Sequence, residues 1–172
     1  LSIPTSHYNT AEDTFDETLE FVSALGQRWV GGSGFPPPGL ETYDDVLASA
    51  AAMNRLGERS VAAGVGKFFG HNHDGEFANV FEHNGEQLTA WEILVEETDP
   101  ALVTFQVDIA WAAHAGVDVV ELLQQYGDRI ELLHIKDGVN IGSDEGPIFT
   151  NLGDGEMPLQ EILAAAQAAG VD

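Results

Sequence analysis

The chain has 172 residues, 44% of them hydrophobic, which suits one ordinary domain with a substantial core and argues against disorder. Twenty-nine Asp and Glu against six Lys and Arg give a formal net charge of −23, a surface that repels nucleic-acid phosphates and anionic membranes. There is no cysteine, so disulfides and thiolate metal sites are excluded.

The acidic residues are spread along the chain rather than gathered in a tail, so acidity is a property of the whole surface. Adaptation to high salt and a merely acidic lineage are both consistent with it. No apolar run reaches the roughly 18 residues of a membrane span, and no signal peptide is visible. The expectation is a cytoplasmic chain whose natural start lies upstream, because Leu1 already sits in strand-like sequence.

Taken in order, Leu1–Thr5 reads as a short strand that delivers His7 at its end. Phe15, Leu19 and Val22 recur at helical spacing and predict a helix over 13–25, with Asp13 or Thr14 available as a cap and Gly26 closing it. Arg28–Val30 is a second strand, and the Gly- and Pro-rich stretch 31–39 is a loop. A long helix is predicted over 42–63. Lys67–Gly70 begins a third strand that runs into His71-Asn72-His73. A loop or small hairpin turning at Asn84-Gly85 comes next, then a short helix over 88–96.

Leu102–Asp108 is a fourth strand and Ile130–Ile135 a fifth, with a helix over 119–126 between them. Asp137–Glu156 reads as a glycine-rich loop, Pro158–Ala169 as a helix that Gly170 ends, and Val171-Asp172 as the start of another strand. The strands are apolar rather than strictly alternating, as parallel strands covered by helices are. The order therefore predicts α/β, either an open doubly wound sheet or a barrel. The absence of G-x-G-x-x-G and Walker patterns weakens the nucleotide-binding version. Five units in 172 residues fit a barrel of about 250 residues that lacks its beginning and its last strand.

Chemistry gathers at the predicted strand ends: His7, then His71 and His73, then Asp108, then His134 and Lys136. In a TIM barrel that rim carries the active site. A single rim histidine is usually structural, but four strand ends of five carrying His or Asp calls for another explanation. His71 and His73, two apart on one strand, are expected on the same face, either as a pair of hydrogen-bonded rim histidines or as one metal ligand and one neighbour that positions substrate or moves a proton. Asp108 closes a mostly apolar strand, so its charge must be paired or bound to a cation. His134 ends its strand in the same way. Imidazole and carboxylate without thiolate suit Mn²⁺, Mg²⁺, Co²⁺ or Zn²⁺. Lys136, one of two lysines, can steady an oxyanion or pair with Asp137 or another acid. Glu76 is a candidate substrate acid. Trp111 offers a face for a sugar or simply packs. His83 and His114 read as surface residues, and Arg129 as structural.

At these residues the sequence resembles a known family. Gly70-His71-Asn72-His73-Asp74-Gly75-Glu76-Phe77 is similar to the "HNH…EF" strand of the sugar phosphate isomerase/epimerases, members of the xylose isomerase-like TIM barrels. Glu97–Pro100, Gln106–Trp111, Leu133–Asp137 and Asn151–Glu156 match further segments in order, and Ser6-His7 loosely resembles the end of the family's third strand. The resemblance spans nearly the whole chain and implies one xylose isomerase-like domain over residues 1–172, a partial TIM (β/α)8 barrel without its first strands and its last. It implies one divalent cation, Mn²⁺ foremost, held by His71, Asp108 and His134, with a fourth ligand on the absent last strand.

The function it implies is a sugar isomerase or epimerase that abstracts a proton next to a carbonyl through a metal-bound enediolate. In that scheme His73 is the base and Lys136 stabilises the oxyanion, while His7, Glu76 and Trp111 meet the substrate. A lyase that cleaves 3-keto-glycosides by metal-assisted elimination is the alternative, and a non-catalytic sugar-binding barrel a second one. The expected partner is a small sugar or glycoside, with neither nucleic acid nor membrane, and homo-oligomerisation is left open.

Overall fold

The computed structural model describes residues 5–171. In chain order the elements begin with α1 (Phe15–Ala24), β1 (Trp29–Gly31), α2 (Tyr43–Ala62), β2 (Lys67–His71) and α3 (Gly75–Ala78). A hairpin of β3 (Val80–His83) and β4 (Glu86–Thr89) follows, then α4 (Ala90–Glu97) and β5 (Val103–Asp108). The remainder is α5 (Ile109–His114), α6 (Val119–Tyr126), β6 (Ile130–His134), β7 (Asp137–Val139), β8 (Ile148–Thr150) and α7 (Leu159–Ala169). They divide into two compact units, one drawn from Leu1–His71 and Asn79–Thr104, the other from Asn72–Ala78 and Phe105–Asp172.

In the first unit β1 and β2 pair in parallel, Val30 beside Phe68. The Phe68 N–H donates to the Leu102 carbonyl at 3.0 Å, so the chain entering β5 lies on the other side of β2. Helix α2 packs on this layer through Val46, Ala50, Met53 and Leu56, all essentially buried and spaced to share one face. Gly57 lets that face come close: a Cβ there would stand 2.6 Å from the Leu102 carbonyl oxygen. A capping box starts the helix, since Thr42 Oγ1 accepts from the Asp45 N–H and the Asp45 carboxylate accepts from the Thr42 N–H. Such a cap is worth about 1 kcal/mol. Thr89 and Glu92 repeat the device at α4.

The second unit pairs β5 and β6 in parallel, and helices α6 and α7 lie against one another where a Cβ on Gly127 would meet Ala169 at 2.6 Å. All six residues of β5 are buried, as the apolar run predicts. An irregularity between Phe105 and Gln106 sets the later register, which brings Val107 beside Leu133 and Asp108 beside His134.

Several expectations change. The predicted first strand falls almost wholly outside the described residues, although His7 makes a parallel bridge to Gly31. Of the expected final strand, Asp172 lies outside the described residues, and Val171 is not in a strand but donates its N–H to the Ala166 carbonyl at the end of α7, 3.0 Å. The loop 137–156 carries the hairpin β7–β8 instead of being irregular throughout, and α5 arises unpredicted directly after β5. Six residues are too few to show an amphipathic period, and Asp108 starts the helix by accepting the Trp111 N–H at its carboxylate, 3.2 Å.

His83 is not a surface residue but is 3% exposed. The hairpin turn Asn84-Gly85, with φ of 52° and 89°, folds β3 onto β4 and turns the ring inward. There Nδ1 meets Tyr43 Oη at 2.9 Å, and Nε2 lies 3.2 Å from a Glu97 carboxylate oxygen and 3.5 Å from one of Glu96. One ring thus ties the start of α2, the hairpin and the end of α4. His83→Ala is expected to lower stability by about 1–3 kcal/mol, through the lost packing of a buried ring and its hydrogen bond to Tyr43. Urea unfolding midpoints check this, and an unshifted midpoint would show that the ring holds nothing.

Candidate active site

The polar centre of the second unit is built on Asp108. Parallel register sets it beside His134, and the side chains converge at 3.1 Å between Asp108 Oδ2 and His134 Nδ1. Lys136 Nζ reaches the same oxygen at 2.9 Å. Asp108 is fully buried, His134 is about one third exposed, and Lys136 is 24% exposed. Lys136 therefore pairs with Asp108 and not with its neighbour Asp137. The requirement that a buried carboxylate be compensated is met by two basic groups and the Trp111 N–H.

Asn72 fixes the backbone of Asp108. Its side-chain amide accepts from the Asp108 N–H at 2.9 Å and donates to the Asp108 carbonyl at 3.2 Å, as a neighbouring strand would. Asn72 is 1% exposed. This explains the central Asn of the His-Asn-His run: it completes the hydrogen bonding of a strand end where β2 has already stopped at His71. The same turn ends the strict alternation, so the expected common face of His71 and His73 does not follow. His71 is buried in the first unit with its ring 4.6 Å from that of His7. His73, in the second, sets its ring edge-on to Trp111 at 5.6 Å. Glu76 accepts the His73 N–H at 2.8 Å and so holds the segment that presents this ring.

Aromatic rings surround the cation. Lys136 Nζ lies 4.6 Å from the centre of Phe149 and 5.8 Å from that of Trp111, and the two rings meet edge to face at 5.5 Å. Phe149 was invisible as a site residue because it lies on β8 within a stretch that reads as loop. Asp137 anchors that hairpin. Its buried carboxylate accepts N–H groups from Gly138, Gly153, Gly155 and Met157 at 2.8–3.1 Å. A Cβ on Gly155 would collide with that carboxylate, so glycine is required there. At the hairpin tip, His114 Nδ1 accepts from the Gly142 N–H at 3.1 Å, which gives His114 a partner that surface placement did not foresee. Arg129 behaves as expected: its carbonyl accepts the Phe105 N–H and its guanidinium lies over the Phe105 ring at 5.6 Å.

Residues 2–172 match one protein family, described as the xylose isomerase-like TIM barrel. The chain belongs to that family. Among curated members it is similar to the inosose dehydratase of Lacticaseibacillus casei, 28% identical over 198 aligned positions, gaps included, that cover 99% of this chain and 63% of that protein. A 51-residue stretch, 28% of this chain and 17% of the relative, is 51% identical to the inosose dehydratase of Geobacillus kaustophilus. Among solved structures it resembles a sugar phosphate isomerase/epimerase from Parabacteroides distasonis, with a TM-score of 0.74 and 27% identity over 99% of this chain and 61% of that one. The chain thus spans about three fifths of the length of these full relatives. As in a partial xylose isomerase-like barrel, its main strands are parallel and alternate with helices. Among the described residues no helix is long and apolar enough to cross a membrane.

The donor types suit a divalent cation; in the structure the Asp108 oxygen and the His134 nitrogen stand 3.1 Å apart as an ion pair, with Lys136 Nζ on the same oxygen. Carboxylate oxygen with imidazole nitrogen, and no sulfur, is the hard-to-intermediate set that Mn²⁺, Mg²⁺, Co²⁺ and Zn²⁺ accept.

Asp137 yields a pH dependence with a definite sign. Burial raises its pKa, but the four backbone N–H donors together outweigh that and hold the carboxyl below its ordinary value. A folded-state pKa below the unfolded one adds stability that is present above the unfolded pKa and lost as pH falls through the folded pKa. The protein should therefore lose stability on acidification below the ordinary aspartate range. Asp137→Asn should be less stable at neutral pH and should show a shallower decline in acid. Melting temperatures of both proteins from pH 7 to pH 3 test this; parallel curves would refute it.

Proposed function

We propose that the protein removes a proton from the carbon next to the carbonyl of a polyol ketone, and that loss of water from the adjacent carbon completes the reaction. The observation that carries this reading is the shared oxygen of Asp108. It is buried and met by both His134 and Lys136. Asp108 and His134 supply two ligands to a divalent cation, with Mn²⁺ preferred, and the sequence resemblance adds His71 as a third. When bound, that ion supplies Lewis acidity toward the substrate carbonyl.

The other roles fall to this chain's own groups. His73, held at its backbone by Glu76 and at its ring by Trp111, takes the proton from the carbon beside the carbonyl. The electron pair moves toward the carbonyl oxygen, which the Lys136 ammonium steadies. The carbon–oxygen bond to the next hydroxyl then breaks. The leaving oxygen takes up the proton and departs as water, and the enol left behind tautomerises to a diketone. His7 and Trp111 are further substrate contacts. The dehydratase names of the curated relatives favour this outcome over a rearrangement.

A second reading shares the first half. If the proton returns to carbon before the hydroxyl leaves, the outcome is epimerisation or isomerisation, which the resemblance to a sugar phosphate isomerase/epimerase favours. The −23 charge makes a substrate with several phosphates the less suitable choice and a neutral cyclitol ketone the better one.

Incubation of the Mn²⁺-loaded protein with 2-keto-inositol in deuterium oxide separates the readings. Stoichiometric diketone supports dehydration. Deuterium in recovered ketone or its epimer, without diketone, supports rearrangement. Absence of both diketone and deuterium incorporation would sink proton abstraction from this substrate class. For the cation, Asp108→Ala and His134→Ala should each weaken Mn²⁺ binding more than about 100-fold, and Asn72→Ala about tenfold through misplacement of Asp108. Titration calorimetry measures this, and wild-type affinity in both ligand variants would remove the pair from the cation site.

A further inference from the structure

Phe149 sits where nothing in the core requires it. It is 43% exposed although β8 is anchored at its base, and its ring stands edge to face with Trp111 over the Lys136 ammonium. An exposed ring forgoes the free energy that burial of its apolar area would contribute. Here it is held in place from both ends of its loop. Asp137 gathers Gly138 on one side and Gly153, Gly155 and Met157 on the other, while the Glu156 N–H donates to the Gly138 carbonyl at 2.9 Å. At the tip His114 takes the Gly142 N–H, and Glu156 accepts the Ile141 N–H at 2.8 Å.

The corner so formed is chemically two-sided. Lys136, 24% exposed, offers an ammonium donor suited to hydroxyl and carbonyl oxygens. Phe149 and Trp111 offer π faces, suited to the C–H bonds of a saturated ring. A molecule that presents oxygens along its edge and C–H bonds on its face matches both. Cyclic polyols have this form, and open-chain sugars present such a face less steadily.

We infer that Phe149 is a specificity-determining residue, the wall on which the C–H face of a cyclic polyol rests while its oxygens turn to Lys136. This rests on the proposed function in one respect only, that Lys136 faces the substrate.

The test uses the Mn²⁺-loaded protein with two probes: 2-keto-inositol for turnover and unreactive myo-inositol for binding. Binding is read by saturation transfer from aromatic protons to the C–H protons of myo-inositol, alongside calorimetric affinity. Phe149→Ala should weaken myo-inositol binding and raise KM for 2-keto-inositol about tenfold with kcat nearly unchanged, and Phe149→Tyr should restore both. Phe149→Leu, which keeps apolar volume without a π face, should stay close to the Ala variant. Unchanged melting temperatures show that the hairpin is intact.

Full binding and wild-type KM in Phe149→Ala would overturn the wall while leaving the proposed reaction in place. Phe149-dependent binding of myo-inositol with no turnover of 2-keto-inositol would uphold the wall and reject the reaction. Absence of any binding to wild type would overturn the wall.

Discussion

A carboxylate placed where no water reaches it must be compensated by groups of the protein or by an ion, and Asp108 imposes that constraint on its surroundings. Its backbone is held by the Asn72 amide, one of its oxygens starts α5, and the other is shared by His134 and Lys136. These partners come from three stretches of the chain, since His134 and Lys136 are neighbours. The turn after β2, the start of α5, the end of β6 and the residues beyond it are therefore all positioned by one buried charge. Replacing the cluster by apolar residues of similar volume would cost little stability by the usual comparison. Its presence at the end of a mostly apolar strand suits a chemical role.

The parallel register makes this possible with little sequence. Once β5 and β6 pair with Val107 beside Leu133, Asp108 and His134 are neighbours with no further device. The irregularity between Phe105 and Gln106 matters for the same reason: without that slip, Asp108 would stand beside a different residue.

Much of this was legible from residue order. Apolar runs ending in His or Asp located β2, β5 and β6, and the spacing of Val46, Ala50, Met53 and Leu56 located α2. What stayed hidden depended on pairings between distant residues. The hairpin β7–β8 has no strong alternation; it exists because Asp137 collects N–H groups sixteen to twenty positions away. Phe149 was missed for that reason. His83 was misjudged because its neighbours in sequence are polar, whereas its burial comes from Tyr43, Glu96 and Glu97. His71 and His73 looked equivalent by alternation, until a side chain, Asn72, took over the hydrogen bonding of the strand between them.

The fastening of the hairpin at its base has an evolutionary meaning. Because Asp137 closes the two ends of the excursion upon themselves, and Ile141 and Gly142 are tied to Glu156 and His114, the stretch between Gly142 and Ile148 is the exchangeable part. Residues can be inserted, deleted or exchanged there while the lysine beside the anchor stays where it is. A lineage could thus try new aromatic or polar tips against new ligands without risking the buried charge, and a designer grafting segments between relatives would do well to cut at the same two points.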